Sequence, residues 1–207
     1  MDKLLGAKVN DLADTKSDGR MRRSHKSRQK IIDASLALVH EGEMSVSAQK
    51  VAQRAGVGLR SVFRHFSDME GLFVEFNEQL TRDNQHYFLP DEAAVNQPLA
   101  NRVDNFISRR HHGFSQLKNY IYFTQNLYFE HAILRRQFTE LVTNLDRLAV
   151  QFLPEIKALS EVQHNHALAL ASFQYWDLQC RLRGQSVVQT QAHVTQLLRD
   201  IFERQMR

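Results

Sequence analysis

Residues 47–66 place small and apolar side chains where two closely crossing helices and a tight turn need them. Ala52 lies four residues before Gly56, and Val62 lies six residues after that glycine. Ala52 leaves room for a second helix to approach the first. Gly56 can take the left-handed backbone that ends a helix without the clash a Cβ would bring. Val51, Ala55, Val57 and Val62 supply the apolar contacts between the pair. The spacing predicts a helix-turn-helix, a unit whose second helix enters the major groove of DNA.

Gly and Pro are scarce, 8 and 3 in 207 residues, while 43% of residues are hydrophobic. A chain with so few turn signals and enough apolar surface for a core is expected to be all-α. The one cysteine, Cys180, excludes a disulfide within the chain and fits a reducing cytoplasm. No apolar run reaches the roughly 18 residues of a membrane span, so no membrane association is expected. Residues 1–20 lack the apolar core of a signal peptide. Charge is unevenly spread. Residues 1–66 hold 13 Lys or Arg against 7 Asp or Glu, a net +6, and the remainder is net −2. Positive charge therefore collects on the half that carries the helix-turn-helix, as a polyanionic partner requires.

Residues 1–23 are polar and mixed in charge, and are read as a flexible arm. A first helix is expected over about 26–41, with Ile31, Ala34, Ser35 and Leu38 on one face. Ser47 suits the cap of the second helix, and the recognition helix is expected over about 59–66. Ser67 or Asp68 caps a fourth helix through Leu72, Phe73, Phe76 and Leu80. These elements make a DNA-binding domain over 24–80. A larger helical ligand-binding and dimerisation domain is expected over 81–207, with helices near 98–112, 114–128, 132–152, 161–183 and 188–205.

The residues Ile31-Ile-Asp-Ala-Ser-Leu-Ala-Leu-Val39, Val51-Ala-Gln-Arg-Ala-Gly-Val57, Ser61-Val-Phe-Arg-His-Phe66 and Glu70-Gly-Leu72 resemble the amino-terminal domain of the tetracycline-repressor (TetR) family. The resemblance implies a homodimeric transcription regulator, usually a repressor, released from its operator by a small molecule held in the carboxy-terminal domain. This chain has Phe63 where the family often has Tyr, Met69 where it often has Lys, and Arg60 where it often has Gly. The first two replace common phosphate contacts, and Arg60 adds charge.

Candidate DNA-binding residues on the recognition helix are Leu59, Arg60, Ser61, Arg64 and His65, with Val62 and Phe66 turned inward. Arginine donates twice to a guanine edge or binds phosphate without reading sequence. Ser47, Lys50, Lys26 and Arg28 are candidates for the DNA backbone, the last two near the start of the first helix. Double-stranded operator DNA is the expected partner.

Six of the chain's 19 aromatic residues fall within 114–129. Core packing accounts for most such rings, but a cavity with aromatic walls suits an apolar or aromatic effector. Phe114, Tyr120, Tyr122 and Phe123 are the first candidates for its walls, with Phe106, Phe173 and Trp176 beside them. Residues 167–182 are apolar nearly all round if helical, more than one subunit's core covers. With the final helix they predict a two-fold interface that includes Leu170, Phe173, Leu178, Val194, Leu197 and Ile201.

Ten histidines raise the question of a metal. His111 and His112 point about 100° apart on a helix, and His164 and His166 also diverge, so no metal or other cofactor is expected. No phosphate loop, serine elbow or zinc-protease motif is present, so no enzyme is expected. A constitutive or activating DNA-binding regulator without an effector is the alternative reading.

Overall fold

The computed structural model describes residues 3–90 and 92–205, without the side chains of 3–18, Arg20 and Glu92. Every regular element among the described residues is helical. Two compact units divide the chain, Met1–Glu78 and Gln79–Arg207.

The first unit holds α1 (Lys3–His40), α2 (Ala48–Ala55), α3 (Leu59–His65) and the first part of α4 (Met69–Asn84). Ile31 and Val39 of α1, Val51 and Ala52 of α2, Val62 of α3 and Leu72, Phe73 and Phe76 of α4 are all buried. Ser35 is accepted into this core because its hydroxyl donates to the Ile31 carbonyl one turn back, at 2.9 Å. The turn between α2 and α3 forms as the sequence requires: Gly56 sits at φ 66°, and the Val57 amide closes onto the Ala52 carbonyl. Asp68, rather than Ser67, caps α4, accepting from the Gly71 amide at 2.8 Å.

α1 begins at Lys3 instead of near Lys26, so the segment read as a flexible arm has helical backbone. It contains no proline and many good helix formers, and a helix nucleated at 26–40 propagates more easily than a new one starts. Met1, Asp2 and most of the arm's side chains lie outside the described residues.

The second unit holds the end of α4, then α5 (Glu92–Val95), α6 (Leu99–Leu127), α7 (Ala132–Phe152), α8 (Glu161–Leu170), α9 (Phe173–Asp177) and α10 (Val187–Gln205). Its core gathers Val103, Phe106 and Ile107 of α6, Ala149 and Phe152 of α7, Ala167 of α8, and Val194, Leu198 and Phe202 of α10. The start of α6 is tied to the turn after α7 by Arg102, which donates to both oxygens of Glu155.

Two boundaries differ from the sequence pattern. The helices expected at 98–112 and 114–128 are one helix, α6, which runs straight through Gly113. Gly113 is there for closeness, not for termination. A Cβ at that position would lie 2.7 Å from Cζ of Phe88 and 2.9 Å from Cβ of Tyr87. Gly113→Ala should therefore destabilise the unit by about 1–3 kcal/mol, the overpacking cost outweighing the better helix propensity of alanine. A urea midpoint equal to or above the parent's would contradict this. The second difference is at 161–183, where the sequence pattern predicts one helix. Ser172 interrupts it, with its hydroxyl accepting from the Tyr175 amide and donating to the Ala169 carbonyl. α9 then passes into a π-helical turn at Leu178–Leu182.

Candidate nucleic-acid interface and effector site

Leu59, Arg60, Phe63 and Arg64 are exposed on α3, and Ser61 is half-buried. Val62 and Phe66 face inward, at 1% and 3% exposure, so the helix is anchored by one face and presents the other. Arg64 and Ser61 lie side by side, Nη2 to Oγ 3.5 Å. The presented face carries two stripes one turn apart in each case: Arg60 and Arg64, and Leu59 and Phe63. The first suits guanine edges or phosphate, and the second suits thymine methyl groups. Phe63, half exposed at 50%, is a residue that the sequence credits only with a missing hydroxyl. Its spacing of four from Leu59 is the signal that marks it.

Ser47 caps α2, its hydroxyl accepting from the Lys50 amide at 3.3 Å, and stays exposed. Lys50 is exposed but held locally, donating from Nζ to Glu43 and to the Ser45 carbonyl, both at 2.9 Å. That bond holds the Glu43 carboxyl below the usual carboxylate range. Lys26 is exposed on α1.

Arg28 is placed differently from a free phosphate ligand. Its guanidinium donates to both carboxylate oxygens of Glu75 on α4 and lies 4.7 Å from the Phe66 ring. It clamps α1, the end of α3 and α4 together. His65 is half-buried, with Nε2 buried and without a partner among the described residues. Burial, then the positive charges of Arg64 and Arg28, hold its pKa below the ordinary histidine value. It is therefore a neutral residue at the foot of the helix.

In the second unit the candidate effector rings separate into two places. Phe106 packs on Phe152 in the main core, at 5.4 Å between centroids. Phe114, fully buried, is the hub of the other cluster: Phe173 lies 5.5 Å, Phe88 5.9 Å and Trp176 6.0 Å from it. Tyr122 joins through Phe173 at 5.7 Å. Tyr120 and Phe123, at 7% and 0% exposure, are buried on α6. Burial pushes the Tyr120 hydroxyl well above its ordinary pKa.

Polar groups accompany these rings. Tyr122 donates its hydroxyl to Asp177, which also accepts from Arg181 at 2.8 Å. The Tyr122 hydroxyl is pushed up to about 12, by burial first and then by Asp177. Arg110 lies 5.1 Å from the Phe106 ring and 5.8 Å from the Phe114 ring, and His111 stacks on Phe114 at 6.4 Å.

Two of the residues expected at a subunit interface are buried inside the unit itself. Phe173 at 4% belongs to the ring cluster and Val194 at 0% to the core. Phe173 opens α9 directly after the break at Ser172, and Val194 lies on α10. Leu170, Leu178, Leu197 and Ile201 are partly exposed. Leu170, Leu197 and Ile201, with Tyr175, line an open groove of about 400 Å³ formed by α8, α9 and α10. Cys180 is half-buried beside Thr190, Sγ to Oγ1 3.4 Å. Among the described residues no group of three His, Cys, Asp or Glu is placed to hold a metal, and no helix is long and apolar enough to cross a membrane.

Residues 31–76 match the family described as bacterial regulatory proteins, tetR family. The span covers the last ten residues of α1, the helix-turn-helix and α4 as far as Phe76. No curated protein sequence matches the chain. Among the solved structures that share its fold are the following two. One is the multidrug binding protein EbrR complexed with imidazole, at TM-score 0.63 and 16% identity over 84% of this chain and 93% of that one. The other is a candidate transcriptional regulator, SCO7518 of Streptomyces coelicolor A3(2), at TM-score 0.53 and 23% identity over 84% and 98%.

Proposed function

We propose that the chain is a TetR-family DNA-binding transcriptional regulator, a homodimeric repressor released from a pseudo-palindromic operator by an aromatic effector. The presented face of α3 carries this reading. Two arginines and two large apolar side chains are exposed on one short helix whose other face is fixed in the core. An exposed Leu59–Phe63 pair is costly in water and is compensated by burial against thymine methyls. Ser47, Lys50 and Lys26 add backbone contacts. Arg28 acts by holding the bundle rigid.

Two α3 helices related by a two-fold axis read two half-sites, so the operator mirrors the protein's symmetry. The open groove of α8, α9 and α10 supports a dimer. Its Leu170, Leu197 and Ile201 are apolar, half-exposed and already aligned on adjacent helices. The fold relative EbrR, a multidrug binding protein, supports a ligand-binding role for the second unit.

The release mechanism we propose runs along α4. That helix is continuous from Met69 to Asn84, with Glu78 in the first unit and Gln79 in the second. Phe88, four residues past its end, touches the hub ring Phe114. An effector that binds at Phe114 and moves Phe88 biases the placement of α4. Differential affinity for two placements, commonly worth about 1–3 kcal/mol, suffices to loosen one half-site. Selection from a random pool of DNA duplexes should return a pseudo-palindrome bound by a dimer. A non-palindromic or shape-only consensus, or a folded monomer at micromolar protein in light scattering, would overturn the proposed assembly.

A further inference from the structure

Several polar atoms near the hub ring are buried with nothing to bond among the described residues. Both ring nitrogens of His111, which is 0% exposed, are without partners there, as are Nε of Arg110 and Nε1 of Trp176. Arg110 is 3% exposed and Trp176 4%. All three side chains lie against Phe114. One helical turn beyond Trp176, Gln179 is 1% exposed with both amide atoms unpartnered, in the π-helical turn. Such turns recur at functional sites. Each unpaired buried group costs free energy, so their gathering at one ring is the mark of a site built for something else to complete.

What completes it follows from the inventory of atoms. A neutral imidazole has one N–H donor and one acceptor nitrogen. Arg110 Nε and Trp176 Nε1 are donors only, and Gln179 offers one of each kind. Donors outnumber acceptors, and one donor carries a full positive charge. Asp146 is the acid whose charge acts on Arg110, from a half-buried position where burial raises its own pKa. The complement is acceptor-rich and anionic, and the surrounding rings of Phe114, Phe173 and Trp176 require an aromatic body beside it.

We propose that the effector is an aromatic carboxylate, whose carboxylate accepts from Arg110, His111 and Trp176 and whose ring packs in the Phe114 cluster. This rests on the reading above that the cluster is the effector site, and narrows it to one ligand class. Phe88, half-buried in the turn after α4 and 5.9 Å from the hub ring, is the ring displaced on entry. Entry and release from DNA are then the same movement. A cationic drug has no place beside the Arg110 guanidinium.

Trp176 is the chain's only tryptophan, so its emission reports the site directly. The test titrates the full-length protein with benzoate, benzamide and benzylammonium, which share a ring and differ in charge. Emission and melting temperature are read together. Benzoate should bind about ten-fold or more tighter than benzamide, and benzylammonium weakest, because neither can make the charge-assisted bond to a buried guanidinium. In Arg110→Met, which keeps the packing against Phe106 and Phe114, the benzoate preference should collapse toward parity. Arg110→Lys, for use if the Met variant does not fold, should retain a reduced preference, since the ammonium keeps the charge and gives up the planar fork. A preference unchanged in the variant overturns the proposal. So does tighter binding of benzamide or benzylammonium, although that result leaves the cluster as an effector site. Silence from all three removes the cluster itself, and leaves operator binding to its own selection test.

Discussion

Acidification from pH 7 to pH 5 should cost the second unit about 2 kcal/mol through one side chain, His111, and close to about 3 kcal/mol near pH 4. The ring is fully buried, and burial, followed by the charge of Arg110, pushes its pKa from 6.5 down to about 4. Between those two values the unfolded chain binds a proton that the folded unit refuses. Stability is therefore fully present above pH 6.5 and declines as the pH falls toward 4. Other histidines and carboxylates add to the raw pH dependence, so the measurement is a difference. Urea midpoints followed by Trp176 emission are compared for the parent and His111→Leu at both pH values. Leucine removes the titration and the two unpaired nitrogens. The variant should gain on the parent by about 2 kcal/mol on going from pH 7 to 5. Parallel pH profiles for the two proteins would show that His111 takes up its proton freely in the folded state.

The same residue shows what could be read from the sequence and what could not. The helix-turn-helix was legible because its demands are local. Ala52, Gly56 and Val62 are fixed by how two adjacent helices cross, and that spacing is written in consecutive residues. Inward Val62 and Phe66, and outward Arg60 and Arg64, follow from helical periodicity alone. Arg28 was not legible as a clamp, because its partners Glu75 and Phe66 are brought to it by tertiary folding. The helices expected at 98–112 and 114–128 part at Gly113. Only the approach of Tyr87 and Phe88 shows that it makes room in a continuous helix. Most of the ring-rich stretch lies on α6, and nothing in its composition marks the polar groups packed among the rings. Nothing local to Arg110 and His111, in a run with Arg109 and His112, says that they are buried against Phe114. For the interface, the argument from residues 167–182 assumed one helix. Ser172 divides it: Phe173 lies buried in the ring cluster, and Leu170 lines the groove.

Arg60→Ala should produce the larger change in DNA binding. Arg60 is exposed on the presented face of α3, one residue into the helix and one turn from Arg64. If its guanidinium donates to O6 and N7 of a guanine, removal costs about 1–3 kcal/mol at each half-site, and about twice that for a dimer on both. The cost then falls on the selected operator, and binding to unrelated duplexes changes little. If Arg60 meets only phosphate, affinity drops similarly on every sequence, and the slope of log affinity against log salt shrinks by about 0.9 for each phosphate no longer neutralised. The two outcomes separate on a salt titration with operator and scrambled DNA side by side. Arg28→Ala is the useful contrast. Because its guanidinium is engaged with Glu75 and Phe66, its removal should lower the melting temperature of the first unit. Its salt slope should stay near the parent's. An Arg60→Ala protein that binds operator as the parent does, at every salt concentration, would take the recognition helix's first arginine out of the interface and leave base recognition to Arg64 and the Leu59–Phe63 pair.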